Sequence, residues 1–142
     1  LVYLTIKKKN PPVSANRVRR FTRGVLKTLG KSHMDLSLVL TNDREIHRFN
    51  RKYLHHDRPT DVLAFNLDEG RRFSKQMVLG DIMISTERAK IYAKRFGNSF
   101  WDEVKLYIVH GILHLLGYDD HKAKDRVRMR RKEKQVLKRV KG

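Results

Sequence analysis

The chain has 142 residues, no cysteine and a formal net charge of +18, from 33 Lys and Arg against 15 Asp and Glu. That length fits one domain with a modest core, and the missing cysteine excludes both a disulfide framework and thiolate metal chemistry, leaving His, Asp and Glu as ligands. The cationic excess calls for a polyanionic partner, nucleic acid ahead of an anionic membrane surface, and with no span-length apolar run and no signal-peptide pattern the expectation is a cytoplasmic protein that does not engage membranes.

Val2, Leu4 and Ile6 alternate with Tyr3 and Thr5, which predicts an opening strand, and Asn10-Pro11-Pro12 breaks it. Ser14 then caps a helix whose stripe is Val18, Phe21, Val25, Leu26 and Leu29, closed by Gly30. Leu36, Leu38 and Leu40 alternate with Ser37 and Val39 as a second strand, and this order suggests a right-handed parallel crossover. Asn42 and Glu45 resemble a capping box for a short helix carrying Ile46, Phe49 and Tyr53. A polar loop from His55 to Thr60 follows, then strands over Asp61 to Leu67 and Met77 to Ser85. Ser85 caps a helix running to Phe96 and stopped by Gly97, and Ser99 caps the next, a long apolar helix. The basic tail from Lys122 to Lys141, with Val127, Val136, Leu137 and Val140 as its apolar side, predicts a helix packed along one edge and facing RNA. The sum is a single compact α+β domain over residues 1–142, with a small mixed sheet of about four strands packed with helices.

The apolar helix carries the chemistry. Residues 110–121 read HGILHLLGYDDH. His110 and His114 stand one turn apart on the same helical face, Gly117 is a natural stop, and His121 returns from the following loop. Two imidazoles from a helix and a third ligand from the next loop make a three-ligand zinc site with a fourth position left for water, as hydrolysis requires. One Zn2+ per chain is therefore expected on His110, His114 and His121, with Asp120 as the alternative third ligand. A zinc peptidase would place Glu directly after the first histidine as general base, and here that position is Gly111. Gly inside a helix costs about 1 kcal/mol relative to Ala, so Gly111 is expected to mark close approach of a ligand or another backbone.

HGILHLLGYDDH, the loop and strand RPTDVLAF (residues 58–65) and the strand LGDIMIS (residues 79–85) occur in the order seen in the bacterial YbeY endoribonucleases, and the chain resembles that family from its first strand through the histidine helix. The resemblance implies a zinc-dependent, single-strand-specific RNA hydrolase with the metal at the mouth of a basic cleft. It also implies work in 16S ribosomal RNA 3′-end maturation and small-subunit quality control, with 16S rRNA and the small ribosomal subunit as partners. Three departures stand out. Six residues separate His114 from His121 where the family has five, so that strict register gives Asp120. Leu54 occupies the place of a functional family arginine. Ala64 and Asn66 replace a usual Ser and Pro.

On this reading activated water, or the RNA 2′-OH, attacks phosphorus, with Arg58 as phosphate contact. Asp119 or Asp120 is positioned to orient a ligand histidine, and Asp61 and Asp81 either do likewise or end a strand. Tyr53, Phe65, Phe73 and Tyr118 are stacking candidates for single-stranded bases, Phe65 being the one better explained by the core. Two competitors remain: a non-enzymatic ribosome-assembly factor whose metal is structural, closed by His55, His56 or Asp57, and a zinc peptidase or amidase.

Overall fold

The computed structural model describes residues 1–7, 12–53, 61–66 and 77–142, without the side chains of residues 53 and 77. Strand β1 (Val2–Ile6) buries Val2 and turns Tyr3 to solvent, as its alternation requires. Helix α1 (Ala15–Thr28) starts where the Ser14 hydroxyl accepts from the Arg17 amide, and Gly30, with φ 71°, carries the chain away from its end. Strand β2 (Met34–Thr41) then lies parallel to β1, with Leu36 beside Val2 and Leu40 beside Ile6. This is the expected parallel crossover, on a strand somewhat longer than its leucines alone indicate.

Helix α2 (Asp43–Tyr53) forms only half of the anticipated capping box. The Glu45 amide donates to the Asn42 side chain at 2.8 Å, while the Glu45 carboxylate turns away to Lys7 and Thr41. Strand β3 (Val62–Phe65) is shorter than the stretch from Asp61 to Leu67, and Leu67 lies outside the described residues. Strand β4 (Met77–Ser85), helix α3 (Thr86–Phe96), helix α4 (Phe100–Leu115) and helix α5 (Ala123–Arg139) complete the order. α3 runs from its Ser85 cap to Gly97, whose φ of 71° ends it.

The four strands lie in the order β1-β2-β4-β3, the first three parallel and β3 antiparallel at the edge. Side chains alternate across this sheet and divide two apolar clusters. Leu36, Leu38, Leu40, Ile82 and Ile84 join the main core with α1, α4 and α5, whereas Leu63 and Met83 meet Ile46 of α2 on the opposite face. Phe65 stacks on Phe49 with ring centroids 4.8 Å apart, so it is a packing residue, as expected.

α4 is the element that places the histidines. Ser99 and Asp102 cap it reciprocally, and Val104, Ile108, Val109, Ile112 and Leu113 are buried. A Cβ on Gly111 would come within 2.9 Å of the Ile82 side chain. The glycine thus admits close packing against β4, and its neighbour is a side chain rather than the ligand or backbone anticipated. α5 keeps Val136, Leu137 and Val140 of its predicted apolar side against the main core and departs from it at Val127. Met129, Glu133 and Val136 are its buried residues, at i, i+4 and i+7, while Val127 is 55% exposed.

Candidate metal centre

His110 and His114 extend from one face of α4 with ring centroids 5.3 Å apart and planes at 70°. Their side chains are 30% and 36% exposed, so the pair sits at the rim of the helix bundle with access to solvent. α4 ends just beyond them: the Tyr118 amide donates to the Leu113 carbonyl at 3.0 Å, and Gly117, with φ 98°, reverses the chain. Asp119 then organises the loop. Its Oδ1 accepts from the amides of Asp120 and His121 at 2.7 and 3.1 Å, an Asx-type turn. Desolvation works to raise the Asp119 pKa, but these donors together with the charges of His121 and His114 outweigh it and hold the value below the ordinary one.

The turn sets Asp120 against the histidine pair. Its Oδ2 lies 3.7 Å from His110 Nε2 and its Oδ1 3.6 Å from His114 Nε2. These spacings approach the roughly 3.4 Å that tetrahedral geometry sets between ligand atoms about 2.1 Å from one zinc ion. Two nitrogens and a carboxylate oxygen, all within 4.8 Å of one another, fit a borderline divalent metal such as Zn2+. His121 stands elsewhere: its side chain is 79% exposed, its Nε2 is 3.5 Å from Asp119 Oδ1, and it groups with Asp119 and Asp120 instead.

α5 supplies what the sequence motif does not. Glu133 reaches across to His110 Nδ1 at 2.7 Å. With the proton on Nδ1 donated to this carboxylate, the Nε2 lone pair faces Asp120 and the open side. Burial works to lower the His110 pKa, but the Glu133 hydrogen bond and the charges of Glu133, Asp120 and Asp61 outweigh it and raise the value. Two turns before Glu133, the Arg126 guanidinium donates to the backbone carbonyls of His121 and Asp120 at 2.9 and 3.4 Å and clamps the loop. Arg126 and Arg130 line a cleft of about 180 Å3 together with His110, Asp120 and Glu133. The Arg130 guanidinium is the uncommitted one, since no hydrogen bond or ion pair engages it among the described residues.

Of the other expected site residues, Arg58 lies outside the described residues, as do His55, His56, Asp57 and Phe73, and so does the Tyr53 side chain. Asp61 and Asp81 do not enter the His110–His114–Asp120 group, although the Asp61 charge reaches His110. Tyr118 stands beside the ligand loop with the Arg128 guanidinium carbon 5.5 Å from its ring centroid.

A sequence model of the family described as Endoribonuclease YbeY matches residues 3–141. The chain belongs to the YbeY endoribonuclease family. It is 36% identical over 139 residues to the endoribonuclease YbeY of Geobacter metallireducens, covering 96% of this chain and 93% of that one. It is 40% identical over 117 residues to the endoribonuclease YbeY of Aquifex aeolicus, covering 82% and 77% respectively. The solution structure of TM1509 from Thermotoga maritima superposes with a TM-score of 0.63 at 25% identity, over 99% of this chain and 89% of that one. The family match extends beyond the histidine helix and through α5. Among the described residues no helix is long and apolar enough to cross a membrane.

Glu133, Arg126 and Arg130 are the site residues that sequence reasoning missed. One signal for Glu133 was available: an acid placed between Met129 and Val136 at helical spacing, on the apolar side of an otherwise basic helix.

Proposed function

We propose that this YbeY-family chain is a zinc-dependent endoribonuclease that cuts single-stranded RNA in the cytoplasm, acting in 16S rRNA 3′-end maturation and quality control of the small ribosomal subunit. The observation that carries this reading is the convergence of His110, His114 and Asp120, two of which, His110 and Asp120, line a cleft with Arg126, Arg130 and Glu133 of the basic helix α5. His110, His114 and Asp120 would hold the ion, and His121, the ligand first expected, remains a residue of the outer loop. Zinc, when bound, supplies a Lewis acid for phosphoryl oxygen and for the activation of water.

The remaining work falls to the chain. Arg130, which lines the same cleft, binds a non-bridging phosphate oxygen and stabilises the charge that builds on phosphorus, the part first assigned to Arg58. Glu133 fixes the His110 ring and its tautomer. Arg126 and Asp119 hold the loop so that Asp120 faces the histidines. The surplus of Lys and Arg attracts the phosphate backbone without choosing sequence.

Elemental analysis of the purified protein beside Asp120→Ala and His121→Ala tests the site. One zinc per chain, kept in His121→Ala and lost in Asp120→Ala, supports the assignment; the reverse pattern moves the third ligand to His121. Cleavage of single-stranded RNA by the wild type and its loss in a folded His114→Ala protein support hydrolysis at this site. A protein that takes up no zinc and cuts no RNA turns the reading to a ribosome-assembly factor.

A further inference from the structure

A second cleft of about 180 Å3 opens at the ligand loop, lined by Leu116, Gly117, Tyr118, Asp119, Asp125 and Arg128. Its side chains fall into two sets. Leu116 and the Tyr118 ring give it apolar and aromatic walls, and the planar Arg128 guanidinium, which also lines the cleft, lies over that ring with its central carbon 5.5 Å from the centroid. Flat π-surfaces of this kind are what unstacked bases pack against.

Asp125 makes up the polar side. Every other carboxylate among the described residues has a partner: an ion pair or hydrogen bond engages Asp35, Asp43, Glu45, Glu87, Asp102, Glu103, Asp119, Asp120 and Glu133, and Asp61 and Asp81 are also engaged. Asp125 alone has none, although Lys124, Arg126 and Arg128 surround it in sequence. A position in the first turn of α5 suits an acid, but it does not account for a carboxylate left open to a cleft in so basic a chain. A metal cation is a poor occupant, because the Arg128 guanidinium lines the same space.

We propose that this cleft is a nucleobase subsite that selects guanine, an inference that rests on the ribonuclease reading and names the nucleotide next to the bound phosphate. A carboxylate offers acceptors only. Guanine is the base whose Watson–Crick edge presents two adjacent donors, N1–H and the N2 amine, and Asp125 pairs with both. Adenine and cytosine set a donor beside an acceptor, and uracil flanks one N–H with carbonyls, so each leaves Asp125 incompletely matched. Tyr118 and Asp120 are two residues apart on one loop, so this subsite adjoins the metal group.

The test measures fluorescence anisotropy of labelled RNA octamers on the zinc-loaded protein, kept cold, with a gel confirming that the RNA stays intact. Replacing one cytidine of an all-cytidine octamer with guanosine is expected to tighten binding about tenfold, and inosine, which lacks the N2 amine, to recover part of that gain. Asp125→Asn should remove the guanosine gain while leaving all-cytidine affinity within about twofold, and Tyr118→Leu should weaken every octamer alike. A wild type indifferent to guanosine, or a gain that survives in Asp125→Asn, overturns the proposal. A protein with the gain that never cuts RNA keeps the subsite and loses the hydrolase reading. One that cuts RNA without the gain does the opposite.

Discussion

α4 and α5 meet at His110 but hold together on different terms. α4 is capped reciprocally at its start, buried along most of its length and pressed onto β4 through Gly111. α5 begins at Lys122 with no side-chain cap bond and buries only Met129, Glu133 and Val136. One helix is fixed by the core, and the other is docked by a short seam that includes the Glu133–His110 hydrogen bond. The contrast teaches that the site has a rigid half, which positions two imidazoles, and an adjustable half, which orients one of them and clamps the loop.

Removing the rigid half has the largest expected effect. His114→Ala should abolish zinc retention and RNA cleavage together while circular dichroism stays native, since the ring is part-exposed and its loss opens no core cavity. Next comes the seam. Glu133→Ala should weaken zinc binding by roughly 10- to 100-fold in a competitive chelator titration, the range usual for partners of ligand histidines. An unchanged affinity would mean that α4 positions His110 without help.

Packing of the rigid half gives a smaller, purely structural effect. Gly111→Ala adds a Cβ that meets three Ile82 carbons between 2.9 and 3.2 Å. Overpacking of about 1–3 kcal/mol outweighs the helix-propensity gain of about 1 kcal/mol, so the melting temperature should fall, and Ile82→Val should recover part of the loss.

The smallest effect lies far from both helices and serves as a control on them. Hydrogen bonds from Lys7, outweighing desolvation, and from Thr41 hold the Glu45 pKa below its ordinary value. A depressed carboxylate pKa contributes stability above its unfolded value, lost as pH falls through the folded one. Glu45→Gln should therefore cost less than about 1 kcal/mol near neutrality, with its melting temperature converging on that of the wild type as the pH falls through the lowered Glu45 pKa, and zinc binding near neutrality should not change.

The two helices also differ in how far the sequence discloses them. Elements fixed by local periodicity and capping were readable: the Ser14, Ser85 and Ser99 caps, the leucine alternation of β2 and the parallel pairing it implies. So was the His110–His114 pair, because a spacing of four residues fixes a shared helical face. Loop geometry was not readable. Whether Asp120 or His121 turns inward depends on the Asp119 amide bonds and the Arg126 clamp, which are contacts between elements. Val127 misled for a related reason. Val136, Leu137 and Val140 marked the buried face at the end of the helix, but in its first half Met129 and the acid Glu133 carry that face and Val127 does not. Gly111 announced a close approach without naming the neighbour, since Ile82 lies on a strand whose register the helix sequence cannot state.

The strand order has a consequence for a growing chain. β2 gains its second neighbour only when β4 arrives, so the pairing of Leu36 through Thr41 with Gly80 through Ser85 must wait for more than half of the polypeptide. The histidines follow the completed sheet, and Glu133 follows the histidines. Because synthesis proceeds from the N-terminus and domains fold as units, the ligand cradle is the last part to assemble. A chain halted before α5 would carry both imidazoles but lack the carboxylate that steers one of them and the guanidinium that closes the loop.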